Sequence, residues 1–352
     1  EHNFQVVHPD FPQKDFPPLK TLDRIPNNLP VPLTSFVGRE AEVRQLSALL
    51  GREQVRLVTL TGTGGMGKTR LSLQVAAEEL EHFPDGVWFV SLASLTDPAY
   101  VITEIASALS IQLQPKGDPK KQVIDYLSQK RLLLVLDNFE HLTEAASLVN
   151  DLLRGAPALR CLVTSRELLQ LPGEQTFVVP PLSIPATDTD LQTLSQYDSV
   201  QLFIERARSV KPDFELTPQN AAAVAAICHR LDGISLAIEL AAARVRGLTV
   251  GQILERLSRQ LEFLTSRSRD VPSRHQTLRA AMEWSYALLS PDEQKLFGQL
   301  SVSSGGFFVE AAEAIGDVPD ALELIFSLHD KSLLTVEEVL EQTRYRLLEP
   351  LR

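Results

Sequence analysis

Val55-Arg56-Leu57-Val58-Thr59-Leu60-Thr61-Gly62-Thr63-Gly64-Gly65-Met66-Gly67-Lys68-Thr69 decides how the rest of the chain is read. A short apolar run, Val55 to Leu60, leads into an octet, Gly62 to Thr69, that satisfies G-x-x-x-x-G-K-[ST], and helical spacing follows from Arg70 to Leu80. Strand, glycine loop and helix in that order give each residue a physical reason. The glycines let several backbone N–H groups curl around one anion, and the helix N-terminus adds partial positive charge. Lys68 supplies a formal cation for the outer phosphates, and the Thr69 hydroxyl suits Mg²⁺.

Working outward, four more apolar runs alternate with helix-length segments: Val87 to Leu92, Leu132 to Leu136, Leu159 to Val163 and Thr176 to Val179. Apolar strands alternating with helices predict a five-stranded parallel sheet covered on both faces, an α/β unit over residues 36–185. The third run ends in Asp137, where a carboxylate at a strand tip can hold Mg²⁺. The following residue is Asn138 rather than a second acid, which predicts slow hydrolysis. The fourth run continues into Thr164-Ser165-Arg166, placing a guanidinium where it can read a terminal phosphate. Lys68, Asp137, Asn138 and Arg166 are thus the candidate catalytic residues, with Thr69 and Asp137 as the metal site.

Residues 1–35, with Pro9, Pro12, Pro17, Pro18, Pro26, Pro30 and Pro32, read as a linker. Beyond Pro185 the strand pattern stops. Ser199–Val210, Pro218–Leu231, Ile234–Val245 and Val250–Leu257 have helical periodicity, with Thr217-Pro218 as a helix start, and predict a small helical domain over 186–269. In 270–352, helices at Thr277–Leu289 and Asp292–Leu300 precede β-like pieces near Leu333–Val336 and Arg344–Leu348, which suggests a winged helix.

The 352 residues, 44% hydrophobic and 22% charged, are those of a folded protein of two or three domains. A formal charge of −11 disfavours nucleic acid or anionic lipid as a general partner. The two cysteines, Cys161 and Cys228, lie in apolar runs, which excludes a disulfide framework and fits a cytoplasmic location. No 18-residue apolar stretch or signal core appears, so no membrane segment is expected. A chain opening on Glu1 rather than Met is expected to be a piece of a longer protein.

With these motifs in order, the sequence resembles the STAND class of P-loop NTPases, in particular the NB-ARC or AP-ATPase branch. The resemblance covers about residues 27–352 and rests on Leu33-Thr34-Ser35-Phe36-Val37-Gly38-Arg39-Glu40, the loop at 62–69, Leu136 to His141, Thr164-Ser165-Arg166 and Leu231-Asp232-Gly233-Ile234-Ser235-Leu236-Ala237. It implies ATP or ADP bound with Mg²⁺. The implied nucleotide-binding residues are Phe36, Val37, Gly38, Arg39, Gly62, Thr63, Gly64, Gly65, Met66, Gly67, Lys68, Thr69, Arg70, Ser235 and Leu236.

The family pattern carries Pro where this chain has Ser235. Its winged-helix histidine, which meets the β-phosphate of ADP, would fall at Leu348–Pro350, where Glu349 stands; Leu328-His329-Asp330 is the competing slot, and His329 is more simply a helix-end residue of a packed domain.

The resemblance implies a switch that ADP holds as a closed monomer and ATP opens into a homo-oligomer. The strip from His8 to Leu19, with Asn27-Asn28-Leu29-Pro30, is similar to the joint that connects a class III nucleotide cyclase to a STAND ATPase, and relatives of this kind continue into a downstream repeat sensor. The rival expectation is a DNA-binding regulator that uses the winged helix, with Arg256, Arg259, Arg267, Arg269, Arg274 and Arg279 clustered before it. A small-molecule kinase is disfavoured, because no acceptor site follows the phosphate loop.

Overall fold

The computed structural model describes residues 25–186, 191–259, 283, 286–287, 289–303, 306–331, 333–339 and 342–347. After helix α1 (Glu40–Leu50) come β1 (Leu57–Thr61), α2 (Lys68–Glu78), β2 (Val87–Ser91), α3 (Val101–Ala108), α4 (Pro119–Leu127), β3 (Leu133–Asp137), α5 (Ala146–Gly155), β4 (Arg160–Thr164) and β5 (Glu174–Val178). The five strands pair in the order β2-β3-β4-β1-β5, every pairing parallel. This is the sheet that the apolar runs predict, because strands buried on both faces need apolar residues at every position rather than at alternate ones.

The alternation reappears in which layer each side chain enters. Leu133 and Val135 of β3 pack with Val58, Leu60 and Leu162 under α1 and α2. Leu134 and Leu136 pack with Leu57, Cys161 and Val163 against α3, α4 and α5. Parallel pairing also fixes where chemistry can occur. The C-terminal ends of β1, β3 and β4 lie along one edge, so Gly62, Asp137 and Thr164 are neighbours although far apart in sequence.

Residues 26–28, expected as part of a linker, lie against the edge of this sheet. Asn27 bridges Val87 of edge strand β2, and the Asn28 amide donates to the Phe89 carbonyl at 2.8 Å and accepts the Phe89 N–H at 2.6 Å.

The second half is helical: α6 (Leu191–Leu194), α7 (Asp198–Val210), α8 (Ala221–Arg230), α9 (Ser235–Ala242) and α10 (Val250–Arg259). Their apolar faces join the layer over α1 and α2 through Phe203, Ile227, Ile238 and Ile253. Helix α8 starts at Ala221, not at Thr217-Pro218, because Asn220 closes the turn: its Oδ1 accepts the Thr217 N–H at 2.9 Å. Between α8 and α9, Asp232 (φ 46°) and Gly233 (φ 68°) are both left-handed. At Gly233 a Cβ would sit 2.3 Å from the Leu182 carbonyl oxygen, so only glycine permits this approach.

The C-terminal part has its own core. Helices α11 (Pro291–Leu300), α12 (Val309–Ile315) and α13 (Ala321–Asp330) pack on an antiparallel sheet, β6 (Phe307–Phe308), β8 (Gln342–Leu347) and β7 (Leu334–Val339), through Leu296, Leu300, Ile325, Leu328 and Tyr345. Ser290 and Glu293 form a reciprocal capping box at the start of α11. Burial works against the Glu293 carboxylate, yet hydrogen bonds from Lys331, Ser327 and the Ser290 backbone hold it below the usual carboxylate range. The expected helix Thr277–Leu289, most of the arginine cluster, the boundary at 269–270, the strip from His8 to Leu19 and Leu348–Pro350 fall largely or wholly outside the described residues.

Among the described residues no helix is long and apolar enough to cross a membrane. Cys161 and Cys228 are buried free thiols, and burial pushes both up to about 12. They should therefore resist a thiol reagent at pH 8 in the native protein and react together only on unfolding. Leu134→Ala, at a fully buried position of β3, should cost about 2–5 kcal/mol in a denaturant titration.

Candidate functional site

The glycine loop makes its turn with three left-handed residues: Gly62 (φ 146°), Gly65 (φ 86°) and Gly67 (φ 87°), the last capping α2. Helix α2 begins at Lys68, so its free N–H groups face the loop. The Lys68 ammonium donates to the carbonyls of Gly62 and Thr63. Burial lowers its pKa to about 8, with Arg166 adding to the effect and Glu140 and Asp137 opposing it.

Asp137 ends β3 beside this loop. Its Oδ1 accepts from Thr69 Oγ1 and from Thr164 Oγ1, each at 2.7 Å. Burial raises the carboxyl despite those two hydroxyls. A buried carboxylate next to a threonine hydroxyl is an all-oxygen donor pair that a hard divalent cation would satisfy. Among the described residues no group of three or more His, Cys, Asp or Glu side chains could hold a metal. Thr69 and Asp137 therefore fit Mg²⁺ only as a partial set, which phosphate oxygens and water would complete.

Asn138 turns the chain sharply at φ 65°, a conformation asparagine tolerates. Its N–H donates to Thr164 Oγ1 at 2.9 Å and its amide to Glu140 Oε1 at 3.2 Å. Glu140 in turn lies 3.4 Å from Arg166 Nε, and both side chains are at most 5% exposed. Burial opposes ionisation of Glu140, but Lys68 and then Arg166 hold the carboxyl below its ordinary range.

These groups line one cavity of about 660 Å³. Of the expected residues, Phe36, Val37, Arg39, Gly64, Gly65, Gly67, Lys68, Thr69, Arg70, Asp137, Asn138, Arg166, Ser235 and Leu236 line it. Four expected nucleotide-binding residues do not. Gly38 faces a separate groove, and the position its Cβ would take is 2.7 Å from the Asp198 carboxyl, so packing explains this glycine. Gly62, Thr63 and Met66 line a smaller cavity of about 320 Å³ behind the loop, together with His329 and Asp330. His329 stands at the end of α13, edge-to-face with Tyr345, as a residue of that packed module.

Two expected ligand-binding arginines serve as braces. Arg39 Nη2 donates to the Met66 carbonyl at 2.8 Å, and Arg70 holds the carbonyls of Thr34 (2.9 Å) and Ser35 (2.7 Å). Helix α9 closes the cavity from the other half of the chain: the Leu236 N–H donates to the Gly65 carbonyl at 3.0 Å, and Ser235 Oγ to the Met66 carbonyl at 3.4 Å. Ser235 is the first residue of α9, a position where proline is also tolerated, so the serine leaves the helix start intact and adds a hydroxyl donor.

Sequence reasoning missed Thr164, Glu140, Arg206 and Glu239 as lining residues. Thr164 and Glu140 stood inside quoted motifs; Arg206 and Glu239, 2.9 Å apart, carry no local signal because their pairing joins two helices.

Loop, parallel sheet and strand-end residues define a P-loop ATPase module, and residues 52–171 match the family model described as an AAA domain. The chain belongs to the family of the uncharacterized protein Rv0894 of Mycobacterium tuberculosis, with 39% identity over 91% of this chain and 80% of that protein.

It is also 44% identical, over 85% of its own length, to the putative HTH-type transcriptional regulator Rv0890c of the same organism, but spans only 33% of that protein. Among solved structures, a STAND protein with a tetratricopeptide repeat sensor from Pyrococcus horikoshii aligns over 90% of this chain and 41% of its own, with 17% identity and a TM-score of 0.37. The expectation against nucleic acid as a partner finds no support in these relatives' names.

At Gly65 an added Cβ would stand 3.0 Å from Leu236 Cβ at a φ that disfavours side chains. Gly65→Ala should therefore cost about 1–3 kcal/mol and weaken binding of Mg²⁺–ATP at least tenfold, read by a thermal melt and a calorimetric titration.

Proposed function

We propose that this chain is the ATP/ADP-binding core of a signalling switch of the STAND, NB-ARC-like type. The observation that carries this reading is the direct hold of α9 on the phosphate loop through Leu236 and Gly65, reinforced from the C-terminal part. Arg346 of β8 binds Asp232 at 2.8 Å, three residues before Ser235. Lys331 reaches Glu167 at 3.8 Å, next to Arg166. A change at the phosphates therefore has two short routes into the C-terminal module.

In this reading residues 36–185 bind nucleotide, 186–269 form the helical domain and 270–352 the winged helix, with 1–35 joining an upstream effector of the nucleotide-cyclase kind and a repeat sensor downstream. Thr69 and Asp137 hold Mg²⁺, which neutralises phosphate charge, and Lys68 and Arg166 bind the outer phosphates. ADP favours the closed monomer, ATP an open homo-oligomer, and slow hydrolysis resets the switch. Reversing such an equilibrium needs about 5.5 kcal/mol of differential binding, a large share of which a γ-phosphate between half-buried Lys68 and buried Arg166 supplies.

A second reading, DNA-linked regulation, is favoured by the relatives named HTH-type transcriptional regulators. Its mark would be salt-sensitive binding of the full chain to duplex DNA.

Lys68→Ala should lower ATP and ADP affinity at least 100-fold, about 2.7 kcal/mol, in equilibrium titrations; unchanged binding would sink the assignment. Protein purified without added nucleotide should release ADP on denaturation and run as a monomer, and should gain mass with ATP and Mg²⁺ in sedimentation.

A further inference from the structure

Residues 26–28 are tied to β2, and Arg39 is tied to the Met66 carbonyl. Between these two anchors residues 29–38 form a strap without helix or strand. Pro30, Ser35, Phe36 and Val37 of the strap line the main cavity, and Phe36 and Val37 also line the separate groove of about 650 Å³. The strap thus divides two open volumes and has room to move. Packing holds its middle only lightly, since Val31 and Leu33 are 85% and 94% exposed. At its end Gly38 (φ 67°) and Arg39 (φ 68°) are consecutive left-handed residues, a sharp bend on which the strap can turn.

Among the described residues, the hydrogen bonds that hold the strap come from two guanidinium groups. Arg70 of α2 reaches Thr34 Oγ1 at 2.6 Å and the carbonyls of Thr34 and Ser35. Arg206 of α7 donates to the same Ser35 carbonyl at 3.1 Å. One backbone oxygen therefore joins the phosphate-loop helix to the helical half of the chain. Arg206 is itself fixed by Glu205 of its own helix and Glu239 of α9, each at 2.9 Å. Burial disfavours the Arg70 cation, Glu239 supports it and Arg206 opposes it, so Glu239 steadies both guanidinium groups at once.

We propose that residues 29–38 are a gate through which nucleotide enters and leaves the main cavity, latched by Arg206 on the Ser35 carbonyl, an inference that rests on the nucleotide site proposed above. Glu239 is the positioning residue of the latch. Helix α9 carries Glu239 and, one turn earlier, the Leu236 N–H that holds Gly65. A shift of α9 therefore releases the phosphate loop and the strap together, which makes nucleotide exchange the step at which the helical half acts on the site. A latch that grips the strap and not the ligand slows passage in both directions and leaves affinity nearly unchanged.

The test uses the full chain with Mg²⁺ and methylanthraniloyl-ADP, whose association and whose displacement by excess unlabelled ADP are followed by stopped-flow fluorescence. Arg206→Ala should raise the association and dissociation rates together, each about tenfold, with Kd within about threefold of wild type. Glu239→Gln, which keeps an oxygen for Arg206 but removes the charge, should raise both rates about threefold.

Rates of both variants within about twofold of wild type overturn the latch. So does a rise in dissociation alone with affinity lost in proportion, which would make Arg206 a ligand of the nucleotide. If Arg206→Ala melts below the assay temperature, Glu239→Gln decides by the same criteria. Wild type that binds neither ADP nor ATP overturns the nucleotide reading and the gate with it, whereas normal binding with unmoved rates overturns the gate alone.

Discussion

Parallel pairing of β1, β3 and β4 is the constraint on which the rest depends. Strands that run the same way deliver their C-terminal residues to one edge, so a flexible glycine loop, a carboxylate and an arginine meet there without any sequence proximity. Asp137 then becomes the hub, because its buried Oδ1 accepts one hydroxyl from the helix after β1 and one from the end of β4. Those two hydrogen bonds stitch loop, helix and strands into one wall, and the same burial that raises the Asp137 carboxyl makes the wall receptive to a cation.

Around that wall the protein uses its arginines in two ways. Arg166 turns inward and pairs with Glu140. Arg39, Arg70 and Arg206 instead grip backbone carbonyls of the loop and of the segment before α1, at Met66, Thr34 and Ser35. A glycine-rich loop loses much conformational entropy on ordering. The Arg39 guanidinium, which reaches the Met66 carbonyl of the loop, restrains it from outside without adding a side chain to the turn itself.

Most of the sheet was legible because its signal is local: apolar runs of strand length, a motif with fixed spacing and a carboxylate at a strand tip. Helices α7, α9, α10 and α11 were legible for the same reason; α8 starts later than expected because Asn220 competed with the Thr217-Pro218 signal, and the short α6 together with α12 and α13 had no counterpart in the sequence reading. What sequence could not show depends on distance in the chain. Arg206 meets Glu239 only because α7 packs beside α9, and Arg346 meets Asp232 and Leu236 meets Gly65 only because separate parts of the fold touch. Glu140 was in view as part of Leu136 to His141, but its orientation hinges on the φ of Asn138, which no periodicity encodes. Arg39 and Arg70 were legible as residues of the cavity, though not as braces, since a motif gives position and leaves the partner open.

The contact of Asn28 with β2 has a consequence for association. Strand β2 is the outer strand of a parallel sheet, and its free N–H and C=O groups would template pairing with another chain. The Asn28 carboxamide offers one acceptor and one donor to Phe89, so a single side chain imitates a neighbouring strand for one residue, and Asn27 adds a backbone bridge beside it. A short polar segment thus blunts a sticky border, and changes there would be felt first as clumping of otherwise folded molecules.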